Sequence, residues 1–406
     1  MFSFFKKNIF KDSFLNIIAS LVLTSAVQLL AYPYIGREFT ASEYGLILTL
    51  MGVVNAVGVS LGNSLNNTRI LLQSEYKVKG FNGDYNPIFV GITLLGAIIV
   101  TVISSIVLGE FNVTIIGCIS ITCLIMLRAY YSASFRIDIN YKKVLISNIF
   151  GFFGYILGII ITHVTGYWVF LFVFGELFSC IYIMFSSHIV RDNFILTPLF
   201  KKSFRKFSYI MSASVLSTMM MYMDRFYIYP FLGAEEVSLY IVGSYLGKTV
   251  GIIFIPISGV LLTYYAKKDE ITIKEFYKRT CFFVVCCFVL YIGIIFLGVP
   301  IMELLYPTII SSALQYFHIA NLAAIVFILG TTIQPTLIKY CEDKWLPLTQ
   351  GIYFIVYLIL GYYGMLHFGL LGFCYAVLIS NTFLIILMLI IVTVSLFKNN
   401  EVSIIE

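Results

Sequence analysis

FTASEYGL, residues Phe39 to Leu46, and LGAEEVSL, residues Leu232 to Leu239, are two versions of one short segment in the two halves of this chain. Aligned without gaps, they match Ala41 with Ala234, Glu43 with Glu236 and Leu46 with Leu239. Each joins an outward-going apolar run to an inward-going one. An even number of runs separates them, so the halves read as parallel repeats about an axis along the membrane normal.

The flanking runs predict spans at 14–35, 44–66, 86–108, 113–134, 144–164 and 167–187, then at 207–230, 237–263, 280–299, 312–336, 346–366 and 370–396. Apolar residues make up 60% of the 406-residue chain and charged residues 11%, with a mean hydropathy of +0.97. A soluble domain carries about 25% charge, so a string of soluble domains is excluded. Twelve spans of about 20 residues consume roughly 250 positions, and the rest suffices only for tails and short connections. Phe2 to Ser13, with Lys6, Lys7 and Lys11, resembles the basic start of a signal sequence, but the following run is too long for a cleaved signal. It reads as an uncleaved first span preceded by a short surface helix.

With the N-terminus inside, 22 of the 26 lysines and arginines fall in cytoplasmic segments. Arg37 falls outside, and Arg128, Arg225 and Lys248 fall within spans. Basic loops resist translocation, so this asymmetry sets both termini in the cytoplasm. The densest basic stretch, 188–206, contains Arg191, Lys201, Lys202, Arg205 and Lys206. It reads as topological charge on an anionic leaflet and, by its central position, as a linker between a lobe at 1–187 and a second at 207–406. The eight cysteines form no CxxC pair with histidine partners, and they read as packing residues. No cofactor, metal or nucleic-acid partner is expected.

Tyr34-Ile-Gly-Arg-Glu-Phe-Thr-Ala-Ser-Glu-Tyr-Gly-Leu resembles the first external turn of bacterial polysaccharide flippases in the multidrug/oligosaccharidyl-lipid/polysaccharide exporter superfamily. The run from Met223 through Asp224, Arg225 and Gly233 to Tyr240 is similar to that family's seventh-span signature. Ser238 departs from it, standing where the family turn often has glycine, while Gly45 keeps glycine in the first half. The resemblance implies an all-α polytopic membrane protein with about twelve transmembrane helices in two six-helix lobes around a central cavity. It implies a flippase that moves a polyprenyl-diphosphate-linked oligosaccharide, for O-antigen, capsule or a related surface polymer, from the cytoplasmic to the outer leaflet by alternating access. The bacterial cytoplasmic membrane is then the location, with membrane lipids, a glycan polymerase and other polysaccharide assembly proteins as partners.

Five charges lie within spans: Arg128, Glu176, Asp224, Arg225 and Lys248. Each needs a partner, water or a function there. Lys248 lies roughly 16 Å below the outer end of its span, near the midplane. One reading is a cationic cavity in which Arg128, Arg225 and Lys248 attract a diphosphate. The other is helix pairing, with the Lys248 stem stretched toward Asp224 in the neighbouring span. Glu176 reads either as an ion-coupling carboxyl or as an acid bonded to a neighbouring helix. Asn55, Ser60, Asn63, Ser64, Asn66, Asn67 and Arg69 mark the second span and its inner end as a polar, cavity-facing helix.

A membrane polymerase or ligase is disfavoured. The longest external segment, Val299 to Ser311, holds one acid, Glu303, and His163, His188, His318 and His367 are scattered. A drug or metabolite antiporter of the same superfamily is the nearer rival, since three cations against two acids is a thin margin for an anionic cargo. The topology is tested by cysteine accessibility in intact cells: single-cysteine reporters at both chain ends should react only after permeabilisation. An external C-terminus would contradict the two-lobe repeat.

Overall fold

The structure, a computed structural model, describes residue 15 and residues 18–266, 270–342 and 344–405. The surface helix expected over Phe2 to Ser13 lies outside these residues, as does Glu406. The helices are α1 (Ile18–Glu38, with a π-helical turn at Ala26–Ala31), α2 (Ala41–Val78), α3 (Tyr85–Leu108), α4 (Val113–Tyr131) and α5 (Ala133–Ile137). Next come α6 (Tyr141–Thr165), α7 (Val169–Ser186), α8 (Phe200–Met221), α9 (Met223–Leu232) and α10 (Ala234–Gly243). The last four are α11 (Tyr245–Ala266), α12 (Ile273–Leu305), α13 (Ile310–Tyr340) and α14 (Trp345–Ile405).

Nine of the described stretches are long and apolar enough to cross a membrane. The last of these is two spans, because Gly369 leaves helical geometry at φ 58°. The seventh and eighth spans, expected as continuous helices, are each interrupted. The seventh breaks at Tyr222 between α8 and α9, and the eighth at Ser244 between α10 and α11. Counted with these interrupted pairs, the described residues form an all-α polytopic membrane protein of twelve spans. Both repeated segments mark helix starts. Thr40 and Glu43 form a reciprocal cap, with Thr40 N–H donating to Glu43 Oε2 at 2.9 Å and Glu43 N–H to Thr40 Oγ1 at 3.3 Å. Ala234 opens α10 directly after Gly233, whose φ of 102° only glycine adopts readily.

By packing, the described chain forms two compact units. The first comprises residues up to Glu38 together with Leu46–Tyr227. Its tightest seam is α6 on α7. A Cβ on Gly154 would collide with the Phe174 carbonyl, and one on Gly158 would stand 2.6 Å from the Leu171 oxygen. Lipid offers no hydrophobic drive to bring helices together, so close backbone approach through small residues replaces it. On α2, Gly58 and Gly62 play the same part against α4. The basic stretch 188–206 is packed structure within this unit. Ile189 and Leu199 are buried with Leu65, Tyr76, Tyr130 and Phe207 in one cluster.

The second unit comprises Phe39–Gly45 and the chain from Ile228 onward. Here the repeated segments meet: a Cβ on Gly45 would overlap the Ala234 carbonyl and lie 3.2 Å from Ser238 N. Ser238 is tolerated in its own copy because its hydroxyl turns back to the Glu235 carbonyl at 2.7 Å. Beside the contact, the Tyr44 hydroxyl donates to that of Tyr306 at 3.2 Å, and both rings are fully buried. Close by, where the Phe231 and Tyr362 rings lie 5.6 Å apart, Gly364 and Gly372 bring the two arms of α14 into backbone contact across Gly369.

Enlarging the α6–α7 seam should loosen the first unit. Gly154→Leu should cost about 1–3 kcal/mol through overpacking, read as a lower thermal midpoint in detergent. Gly293→Ala, where an added Cβ meets nothing within 4 Å, should leave the midpoint unchanged.

Candidate functional site

The charges within spans are placed by helix packing, and two of them meet in the first unit. Arg128, in the last turn of α4, reaches Glu176 on α7 through a two-pronged contact. Nε donates to Oε2 at 2.5 Å and Nη2 to Oε1 at 3.3 Å. The Tyr155 hydroxyl of α6 also donates to Oε1 at 3.3 Å. Gly175 makes this possible: the Tyr155 ring lies against its Cα, where a Cβ would be 2.5 Å from Cζ. The Glu176 side chain is 5% exposed and that of Arg128 24%. Arg128 and Glu176, read separately from the sequence, therefore neutralise each other and join three helices. A planar guanidinium matches a carboxylate in this fork, which a lysine would not reproduce.

Arg225 opens its helix from the break at Tyr222. Its Nη1 donates to the Leu48 carbonyl of α2 at 3.1 Å, and its guanidinium lies 5.1 Å from the Tyr222 ring centre. Gly52 clears the way for this stem, since a Cβ there would stand 3.4 Å from Arg225 Cδ. Asp224, 8% exposed, turns to the backbone, accepting from Arg225 N–H at 2.8 Å. The two neighbours therefore have different surroundings, as their rotation of about 100° on a helix requires.

Lys248 belongs to the second unit and owes its position to the break at Ser244. In an unbroken helix Gly247 N–H would bond the Gly243 carbonyl. Asn321 of α13 takes both: its Nδ2 donates to Gly243 O at 2.7 Å and its Oδ1 accepts from Gly247 N–H at 2.7 Å. A neighbouring helix thus satisfies the backbone groups freed by a discontinuous span. The ladder resumes with Lys248 N–H on Ser244 O, and Lys248 Nζ sits 4.5 Å from the Tyr240 ring centre. A cation over an aromatic face within about 6 Å is attracted by the ring quadrupole.

The polar residues of α2 divide by face. Asn66 follows Gly58 and Gly62 at four-residue spacing and faces α4, its Nδ2 donating to Ala129 O at 2.6 Å. Arg69 is buried, bonded to the Tyr130 hydroxyl at 2.9 Å and ion-paired with Asp192. Spacing of four thus puts Asn66 on the packed seam, and an acid from a later segment pairs with Arg69. Ser60, Ser64 and Thr68 spend their hydroxyls on carbonyls one turn back. Asn63 is exposed and Asn55 half-buried, its Nδ2 on Met51 O at 2.7 Å.

Sequence reading did not single out Tyr155, Asn321, Asp84 or Asp192. Asn321 carried a signal, as the one asparagine of an apolar span. No group of three or more His, Cys, Asp or Glu is placed to hold a metal among the described residues.

A helical membrane protein with discontinuous spans and buried charge pairs is the class that these observations define. At the level of sequence, neither a family model nor a curated protein matches the chain. Solved structures do match its fold. It is similar to the lipid II flippase MurJ in an inward closed conformation, with a TM-score of 0.67 and 14% identity over 95% of this chain and 87% of that one. It is equally similar to an inward-facing multidrug resistance MATE family transporter of the MOP superfamily, at 0.67 and 12% identity over 96% of each chain. The Vibrio cholerae MATE transporter VcmN in the bent form matches at 0.57 and 13% identity, over 97% of both chains. Over nearly its whole length the chain shares the fold of these transporters.

The pair on α4 and α7 makes a sharp expectation. Arg128→Ala strands a buried carboxylate and should cost about 3–5 kcal/mol, seen as reduced thermal stability and abundance. Replacing both partners, Arg128→Met with Glu176→Leu, should recover most of that loss. If the double variant is no more stable than the single, the pair is not what holds these helices.

Proposed function

We propose that this protein is a flippase that carries a polyprenyl-diphosphate-linked oligosaccharide from the cytoplasmic to the outer leaflet of the bacterial cytoplasmic membrane by alternating access, as a transporter and not an enzyme. The observation that supports this most is the fold shared with a lipid II flippase over nearly the whole chain. A multiply charged head group cannot cross hydrocarbon unaided, so the protein must offer a polar route. Cations along that route replace lost hydration, and low-dielectric walls strengthen each contact relative to water.

On this reading the lobes are 1–187 and 207–406. Arg225 and Lys248 supply the diphosphate contacts, and Asn55 and Asn63 form the polar face along which the sugar moves. Arg128 contributes through its pair with Glu176, as an orienting element more than as net charge. Asp224 serves helix pairing and takes no part in holding the cargo. Specific polymerase or ligase partners are expected on the outer side, where the cargo is released.

The MATE neighbours favour a second reading, an antiporter for small organic solutes. Asp224 would then be the residue of interest, because a buried acid suits a cationic cargo. Liposomes containing the purified protein separate the two: a labelled polyprenyl-diphosphate sugar should become accessible to an external enzyme, and a cationic dye should not exchange for sodium or protons.

Arg225→Ala and Lys248→Ala should each lower glycan translocation about tenfold or more at unchanged abundance. Arg225→Lys should keep part of the activity, since charge survives while the fork is lost. The measurement is surface glycan in cells lacking their own transporter, with membrane protein level quantified alongside. Wild-type export by both alanine variants would reject the cationic route.

A further inference from the structure

Two carboxylates outside the charge-bearing spans, one buried and one half-buried, hold one short stretch of chain. Asp84, fully buried before α3, accepts from Thr197 N–H at 2.6 Å and from the Thr197 hydroxyl, and from the Tyr76 hydroxyl at 2.5 Å. Its own N–H donates to Ile195 O at 2.9 Å. Asp84 does this at φ 64°, a conformation that costs a non-glycine residue energy and is kept only where surroundings impose it. The second carboxylate is Asp192, upstream of Thr197 in the same stretch. Its side chain pairs with Arg69, while its backbone carbonyl accepts from Asn86 Nδ2 at 2.9 Å.

Between these two fixed points stand Phe194, Ile195 and Leu196, with 65%, 56% and 63% of their surfaces exposed. Three consecutive large apolar side chains in a segment pinned at both ends are displayed, and in water such display is unfavourable. Cations flank them in the chain: Arg191, Lys201, Lys202, Arg205 and Lys206 are all exposed. Among the nearby acids, Asp192 is taken by Arg69, and Glu75 is shared by Lys202 and Lys79. The segment lies beside the start of α3 and directly before α8, where chain passes between bilayer and cytoplasm under the positive-inside orientation.

We propose that Phe194–Leu196 is a fixed keel that enters the cytoplasmic leaflet at headgroup level and docks there against anionic phospholipid, held by the flanking basic residues. Apolar side chains supply burial below the headgroups, and the cations meet anionic phosphates above them, the two-part logic of interfacial anchors. Asp84 and Asp192 set the angle at which the keel is presented. The role is independent of the cargo, so it stands or falls apart from the transport reading.

The test uses the full-length protein with Phe194→Trp, reconstituted into nanodiscs of phosphatidylcholine or of phosphatidylglycerol with brominated acyl chains. Emission is compared with that of the parent, which carries Trp168 and Trp345. The added emission should be blue-shifted, insensitive to aqueous acrylamide and quenched about twofold more by the brominated anionic lipid. That preference should shrink at high salt, where the surface charges are screened. Quenching by acrylamide without quenching by lipid would overturn the proposal, and equal quenching by both lipids would overturn its anionic docking. Leu196→Trp repeats the measurement should the first variant fail to fold.

Discussion

A polar group facing hydrocarbon has no water to bond, and within a span each one must find its partner in the protein. Much of this structure is the working out of that constraint. Arg128 is answered by Glu176, and Glu176 in turn by Tyr155, whose ring reaches it over a glycine. The break in the eighth span is answered by a single amide, Asn321, that takes both freed backbone groups. Ser60, Ser64 and Thr68 turn their hydroxyls to their own helix. Helix packing follows the same logic from the other side. Beside such contacts, glycine lets helix backbones approach closely, as along α6 and α7.

The spans, their number and the importance of the repeated turns were legible because hydropathy and charge asymmetry are properties of whole segments. What the sequence left open was pairing. Arg128 and Glu176 are 48 positions apart, and nothing in either neighbourhood announces the other. The polar residues of α2 were legible as a group but not by face: Asn63 and Asn66 differ by three positions, yet one is exposed and the other packed on α4. A count of polar residues along a helix carries no phase, whereas the Gly58–Gly62–Asn66 spacing does. The basic stretch 188–206 was read by its charge, while its structural content resides in Asp192 and Thr197, which are neither basic nor apolar.

The pairing also alters the balance of charge on which the choice of cargo turns. Three cations against two acids becomes, once Arg128 and Glu176 cancel, Arg225 and Lys248 against Asp224. The cationic excess is unchanged in number, but it now resides at two places that flank discontinuities in helices. Such positions combine a fixed charge with backbone dipoles that do not run on into a longer helix, which on the proposed reading serves to hold and then release an anion.

Gly369 has a consequence for how the chain is made. Trp345–Phe397 is a 53-residue stretch without a single Asp, Glu, Lys or Arg. As one helix it would be about 80 Å long, more than twice the hydrocarbon thickness of roughly 30 Å. No charged loop instructs the insertion machinery where the first passage ends and the return begins. One glycine at positive φ, with Gly364 and Gly372 closing the arms on either side, carries that instruction in the fold, turning what composition alone would leave as one overlong apolar rod into two passages.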